Sequence, residues 1–187
     1  MCHVTYTLRH VTYTLKLCLG SFFFISTIMA FEFVVADVEG FPTRNGGLVL
    51  RELTLIFPNE EEQHFHFKNP EGLFLDDDEL KTAKFCQRHL NGFSPTTNGT
   101  SCLPASVYPT ILEEIKDCRI YCAGESARYF LATHLPDSHV IDVYSLFDFR
   151  YPNEFTKNPN CFKLHRYRHC SLAKARFLAE SLQGYRL

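Results

Sequence analysis

Three residues of types that bind transition metals lie close together near the C-terminal end of the chain. Cys161, His165 and Cys170 fall within ten residues, after Pro159 and directly before a helix-like stretch at 171–182. Zinc takes four nitrogen, sulfur or carboxylate-oxygen ligands in a tetrahedron. The spacing therefore predicts a structural zinc site whose fourth ligand comes from another part of the chain. The alternative is a solvated basic turn that contains two incidental cysteines.

A second candidate site is an acidic pair, Asp37 and Glu39, which follows the apolar run at 31–36. Such a run is typical of a strand that is buried on both faces, and residues two apart in a strand point to the same side. Two carboxylates on one side of a strand end can bind divalent cations, and two metals can drive phosphodiester hydrolysis. The alternative is a pair of solvated acids where the strand passes into a turn.

The composition limits the class of protein and its compartment. A length of 187 residues with 45% hydrophobic and 21% charged residues predicts one globular domain with one core. A net charge of -2 argues against a dominant electrostatic attraction to nucleic acid, but the stretch 157–176 holds six basic residues and no acid. The eight cysteines are irregularly spaced, which favours metal-bound or buried thiols in a cytoplasmic or nuclear protein over secretion.

Residues 1–29 differ from the rest of the chain. His3–Leu8 repeats as His10–Leu15, and the apolar stretch that follows the repeat is too short to span a bilayer comfortably. We therefore expect a non-structural leader, with translation starting at Met29 and a single domain at 30–187. A cleaved signal peptide is the alternative. No stable membrane association is expected.

The hydrophobic pattern predicts an α/β fold. In chain order the predicted elements are strands at 31–36, 48–57 and 63–67, helices at 78–89 and 107–115, a strand at 119–122, a helix at 125–135, a strand at 139–146 and a helix at 171–182. The first three strands form an opening meander. Early hairpins followed by alternating helices and strands imply a mixed sheet with helices on both faces, which is the arrangement of ribonuclease H-like folds.

Three segments resemble the motifs of the DnaQ-like (DEDDh) exonucleases. Val34–Glu39 resembles the first motif, an acidic pair on the first strand. Ile120–Leu131 is similar to the second motif, although Ala127 stands where that motif has its aspartate. His169–Lys174 resembles the last motif, in which a metal-binding aspartate follows the histidine by five residues, and Lys174 stands in its place. The resemblance implies that two metal-binding carboxylates are missing, and a lysine there would repel the cation.

The chain resembles the maelstrom domain more closely. That domain is a DnaQ-like fold that has lost most of its exonuclease acids and has a structural zinc site made of glutamate, cysteine, histidine and cysteine. The three C-terminal ligands named above match its ending, in which Cys170 opens a helix. The resemblance implies that Glu52, within Arg51–Leu55, is the fourth zinc ligand. Cys118 and Cys122 are rivals for that place.

The maelstrom resemblance also implies a function. It implies binding of single-stranded RNA, with RNA cleavage that does not use the exonuclease acids, in small-RNA silencing of transposons together with proteins of that pathway. Zinc is the implied cofactor. Four basic residues are expected to contact phosphates: Lys163, Arg166, Arg168 and Lys174. Three aromatic residues are expected to stack on bases: Tyr151, Phe155 and Tyr167.

Two alternatives from other functional classes remain open. The first is an active 3′–5′ exonuclease that depends on Mg²⁺ or Mn²⁺, whose catalytic residues would be Asp37, Glu39, His169 and either Glu125 or Asp142. The second is a protein-interaction module without a nucleic-acid role. Three other histidines are expected to be strand or loop residues rather than ligands: His64, His66 and His89.

Overall fold

The computed structural model describes residues 3–8, 11–16, 32–98, 102–146, 148–152 and 170–184. Contacts divide the chain into two units, Met1–Ala30 and Phe31–Leu187. In the first unit, β1 (His3–Leu8) pairs antiparallel with β2 (Val11–Lys16), so strands from the two copies of the repeat face each other. That residues 1–29 are a leader outside the folded domain stays a prediction.

The second unit is built on a five-stranded mixed sheet in the order β5-β4-β3-β6-β7. β3 (Phe33–Pro42) lies at its centre, with β4 (Leu48–Ile56) and then β5 (Glu62–His66) antiparallel on one side. β6 (Arg119–Cys122) and then β7 (His139–Asp142) add in parallel on the other side. The α/β fold with a mixed sheet is confirmed. The whole sheet does not have the order of a meander, because β6 joins the free edge of β3 instead of continuing from β5.

Helices cover both faces of this sheet. α2 (Tyr108–Glu113) and α3 (Glu125–His134) pack on one face, where they share the largest apolar cluster with β3, β4 and β6. α4 (Ser171–Gly184) packs on the opposite face through a second apolar cluster. α1 (Asp77–His89) packs against the far end of the β3–β4 pair. The apolar stripe of each helix therefore finds its partner on the sheet, as an amphipathic helix requires.

The central strand continues past the end of its apolar run. The sequence pattern predicts an end before Asp37 and Glu39, but β3 extends to Pro42 and leaves both acids inside the sheet. The register shifts after Glu39, at a β-bulge where a Cβ atom on Gly40 would lie 2.0 Å from the carbonyl oxygen of Val49. Only glycine permits this close approach of the two backbones.

The strand predicted at 139–146 is shorter than its hydrophobic pattern indicates. It ends at Asp142, whose carboxylate accepts the backbone N–H of Tyr144 at 3.1 Å and begins a 3₁₀ helix at Val143–Ser145. A side chain that bonds to the backbone two residues later competes with the strand ladder. The local hydrogen bond therefore ends the strand although apolar residues continue beyond it.

Candidate functional site

Six polar side chains from three neighbouring strands lie on the sheet face that α4 covers. Across the strands they pair as Asp37 with Thr54, Glu39 with Glu52, Thr54 with His64, and Glu52 with His66. Residues opposite each other in an antiparallel pair share a face, as do residues two apart along one strand. The first turn of α4 contacts this polar group, whereas its later turns pack on the apolar part of the same face.

Glu52 is a fully buried carboxylate at the centre of this polar group. Its Oε1 lies 2.5 Å from Nε2 of His64 and 3.4 Å from Nε2 of His66. Sγ of Cys170 lies 3.9 Å from the same oxygen, and Oε2 accepts the backbone N–H of Ser171 at 3.1 Å. Burial of an isolated carboxylate costs several kcal/mol, so Glu52 requires a compensating cation or several hydrogen bonds. Its surroundings provide metal-binding side chains as well as hydrogen-bond donors.

Glu52 also fixes the beginning of α4. Its Oε2 accepts a hydrogen bond from the N–H of Ser171. The helix dipole favours a carboxylate at this end of a helix. The hydroxyl groups of Ser171 and Thr54 are 2.6 Å apart and both residues are buried, which adds a second polar link between α4 and β4. The N–H of Lys174 bonds to the carbonyl of Cys170 at 3.1 Å. The contacts to Glu52 and Thr54 therefore hold the first turn of α4, which carries Cys170 and Lys174, against β4.

This group of residues can hold a metal ion. The ligand atoms of Glu52, His64 and His66 lie within 4.8 Å of one another, and Cys170 lies beside them. Carboxylate, imidazole and thiolate are the donors that zinc sites use. Glu52 and Cys170 were both expected at this site. His64 and His66 are strand residues, as expected, but their side chains face Glu52, which their spacing in the sequence does not reveal.

The rival cysteines lie on the other side of the sheet. Cys118 and Cys122 belong to the apolar cluster beneath α2 and α3, whereas Cys170 lies beside Glu52 under α4. Burial raises the pKa of the Cys122 thiol to about 12, which disfavours the thiolate that a metal needs. Several other predicted site residues lie outside the described part of the chain: Cys161, His165, His169, Lys163, Arg166, Arg168, Phe155 and Tyr167.

Lys174 lies between the two acids of the candidate exonuclease site. Its Nζ is 2.6 Å from Oε1 of Glu39 and 3.2 Å from Oδ2 of Asp37. The Asp37 side chain is fully buried, and those of Glu39 and Lys174 are each 15% exposed. The ammonium also lies 5.6 Å from the ring centre of Tyr151, a cation–π distance. The ammonium of Lys174 is thus enclosed at the point where the side chains of Asp37 and Glu39 converge.

Tyr151 is part of this enclosure rather than an open surface. Its ring packs against Phe149 and Phe177 at centroid distances of 4.9 and 6.1 Å. Burial raises the pKa of its hydroxyl far above the usual range. The expected stacking of Tyr151 on a base would require this aromatic cluster to open.

The buried surroundings change the pKa values of both Asp37 and Lys174. Burial outweighs the opposing effect of Lys174 and raises the pKa of Asp37 to about 8, and Glu39 adds to the increase. Burial lowers the pKa of Lys174, but Asp37 and Glu39 outweigh it and hold that pKa well above its usual range. At neutral pH Lys174 therefore keeps its positive charge and Asp37 keeps its proton.

We expect the free energy of unfolding of the wild type to fall, relative to an Asp37→Asn variant, as the pH rises from about 4 to about 8. The pKa of Asp37 is about 8 in the folded protein, whereas in the unfolded chain it is about 3.9. The stabilising contribution is therefore complete below the lower pKa and is lost as the pH passes the upper one. Urea unfolding of both proteins across this range measures the difference. Parallel pH profiles would contradict the protonated state of Asp37.

Glu125 and Asp142 were the two acids expected to complete an exonuclease site with Asp37 and Glu39. Neither forms a metal site with that pair. Glu125 is exposed at the start of α3, and Oδ1 of Asp142 accepts the N–H groups of Gly124 and Tyr144 at 3.0 and 3.1 Å. Ala127 lies in the apolar cluster on the opposite face. Among the residues that the structure describes, only the group around Glu52 combines three metal-binding side chains at ligand distances.

No protein-family model matches the chain, and no curated protein matches its sequence. Within the described residues, none of the helices is both long and apolar enough to cross a membrane. The function is therefore inferred from the chemistry of the two neighbouring sites under α4.

Proposed function

We propose that the domain at 30–187 is a zinc-stabilised domain that derives from an exonuclease and binds single-stranded RNA without a metal-dependent nuclease centre. The observation that carries this proposal is the position of Lys174, at 2.6 Å from Glu39 and 3.2 Å from Asp37. The five-stranded mixed sheet with helices on both faces supports the ribonuclease H-like assignment.

The ammonium of Lys174 lies between Asp37 and Glu39, where an exonuclease would bind a catalytic metal ion. Hydrolysis by two metals requires ionised carboxylates that are open to divalent ions. Here one carboxyl is protonated and the other is bound to an ammonium that would repel an incoming ion. The arrangement supports a domain that has kept the acidic pair of an exonuclease and lost its metal chemistry.

Zinc at Glu52 would act as a structural link. Glu52 lies on the internal strand β4, and Cys170 opens α4, so an ion bound to both would connect the sheet to the last helix. The ion would also compensate the buried negative charge. The resemblance adds Cys161 and His165 to this ligand set. A closed site with four protein ligands supplies stability rather than catalysis.

RNA binding is supported by the basic stretch that precedes α4. Lys163, Arg166 and Arg168 supply positive charge with no nearby acid in sequence. The charge of Lys174 is already engaged by two carboxyl groups, so we assign phosphate contacts to the other three residues. Action in small-RNA silencing with proteins of that pathway is the part of the proposal that comes from the maelstrom resemblance.

Fluorescence anisotropy with a labelled single-stranded RNA tests this proposal. We expect the wild type to bind this RNA at low salt. Reversing the charges of the three residues together, as Lys163→Glu, Arg166→Glu and Arg168→Glu, should weaken binding roughly tenfold or more, because lost phosphate contacts reduce counterion release. The matched control reverses three exposed residues of α1: Lys81, Lys84 and Arg88. Equal losses in the two triple variants would contradict the assigned surface. A wild type that does not bind RNA would favour a protein-interaction module.

A further inference from the structure

A cavity of about 460 Å³ lies between the last turns of α4 and the sheet. Its walls also include the first residues of β3, the end of β4 with the turn that follows it, and Tyr121 of β6. Among the described residues that line it, none belongs to the groups around Glu52 and Lys174. Its volume is within the range of pockets that bind small molecules, about 300–1,000 Å³. A ligand of this cavity would therefore bind independently of the zinc and RNA sites.

The inner wall of this cavity is apolar and partly aromatic. Val35, Ile56 and Leu182 are buried residues of the apolar cluster under α4, and they also line the cavity. The rings of Phe33 and Tyr121 meet edge to face beside them, with centroids 5.9 Å apart and an angle of 84° between the ring planes. Such a wall binds the apolar body of a ligand, and its two rings favour an aromatic body in particular.

The rim of the cavity is acidic. Arg176 donates two hydrogen bonds to Glu62, from Nε at 2.7 Å and from Nη2 at 2.6 Å, so the charges of this pair cancel. Glu60 and Glu180 also line the cavity and are exposed, and neither forms an ion pair within the part of the chain that the structure describes. The rim therefore has an excess of two negative charges. Charge complementarity favours a cation at this place.

Glu60 occupies a backbone position that does not favour glutamate. It lies in the tight turn between β4 and β5 with a φ of 64°, a conformation for which glycine and asparagine are preferred. Its N–H donates to the carbonyl of Phe57 at 2.9 Å, so backbone groups close this turn. The Glu60 side chain lines the cavity instead. The geometry of the turn does not account for a glutamate here, whereas binding of a cation at the rim does.

We propose that this cavity binds a small organic cation, a protonated amine on an aromatic body. The aromatic part contacts Phe33 and Tyr121, and the ammonium group faces the carboxylates of Glu60 and Glu180 at the rim. Burial of the apolar body supplies most of the affinity. The two exposed carboxylates add a modest attraction that salt weakens, and they select against neutral and anionic ligands of the same shape.

Three indole derivatives of similar size and different charge test this site: tryptamine is a cation, tryptophol is neutral and indole-3-acetate is an anion. Nuclear magnetic resonance of isotope-labelled methyl groups in the full chain follows each titration. We expect tryptamine to bind with a Kd in the millimolar range and to shift the methyl signals of Val35, Ile56 and Leu182. It should bind about fivefold more tightly than tryptophol, and indole-3-acetate should bind most weakly. The absence of saturable shifts with tryptamine, or an equal affinity for the anion, would overturn the inference.

Variants of two adjacent glutamates separate binding from folding. Glu60→Asn should weaken tryptamine binding about two- to fivefold, while the midpoint of urea unfolding stays equal or rises, because asparagine tolerates the left-handed conformation better. Glu180→Gln should weaken binding by a similar factor. The matched control is Glu61→Gln in the same turn, since Glu61 accepts a hydrogen bond from Gln63 at 3.3 Å and is not among the described residues that line the cavity. Equal losses in Glu60→Asn and Glu61→Gln would contradict the assigned rim.

Discussion

Replacing Lys174 with methionine should destabilise the zinc-loaded protein by about 3–5 kcal/mol, the range for breaking a buried ion pair from one side. The substitution removes the only cation that lies within 3.2 Å of both Asp37 and Glu39 among the described residues, while the two acids stay in the sheet. Methionine fills a similar volume, so the loss reports charge more than packing. Urea unfolding at neutral pH measures it.

The same substitution should be far less harmful once the acids are neutral. In a protein that already has Asp37→Asn and Glu39→Gln, we expect Lys174→Met to cost less than about 1 kcal/mol, because well-packed apolar replacements of buried ion pairs are often neutral. Mn²⁺ should restore part of the lost stability to Lys174→Met when the acids are present and not when they are absent. Equal losses in both backgrounds would show that Lys174 contributes packing rather than charge.

The second large effect is expected at Glu52. Replacing it with glutamine keeps the shape of the side chain and an acceptor for the N–H of Ser171, but removes the charge that binds metal. We expect one zinc per chain in the wild type and a substoichiometric content in the variant. The free energy of unfolding of the zinc-loaded protein should fall by about 3–5 kcal/mol.

A chelator and a surface glutamate provide the controls for Glu52. Without zinc the wild type has a buried charge that its metal no longer compensates, so Glu52→Gln should then be as stable as the wild type or more stable. Glu62→Gln on β5 breaks only an ion pair with Arg176 at 2.6 Å between partly exposed side chains, and should cost less than about 1 kcal/mol. A full zinc content in Glu52→Gln would contradict the metal site.

The sequence predicts the elements of this fold better than the contacts between them. The strand at 119–122 and the helix at 125–135 follow from short apolar patterns that the structure places at Arg119–Cys122 and Glu125–His134. The predicted end of β3 is wrong. Asp37 and Glu39 interrupt the apolar run of the sequence, but the hydrogen-bonded ladder between β3 and β4 continues through them. Backbone pairing, which does not depend on side-chain polarity, decided that boundary.

At the candidate site, too, the contacts between residues were harder to predict from the sequence than the residues themselves. Glu52 could be identified only through a resemblance, since one acidic residue in an apolar strand has no period of its own. His64 and His66 have the two-residue spacing that puts both on one face, but the register with Glu52 is a property of the sheet. Lys174 lies 135 residues from Glu39 in the chain, and only the packing of α4 on the sheet brings them together.

The most direct test incubates the zinc-loaded protein at low salt with a single-stranded RNA that is labelled at its 5′ end, in the presence of Mg²⁺ or Mn²⁺. Binding and RNA length are followed in the same samples. We predict that the RNA is bound and is not shortened from its 3′ end by either ion. Progressive shortening that requires Mg²⁺ or Mn²⁺ and disappears in Asp37→Asn would contradict the loss of the nuclease centre and establish an active exonuclease.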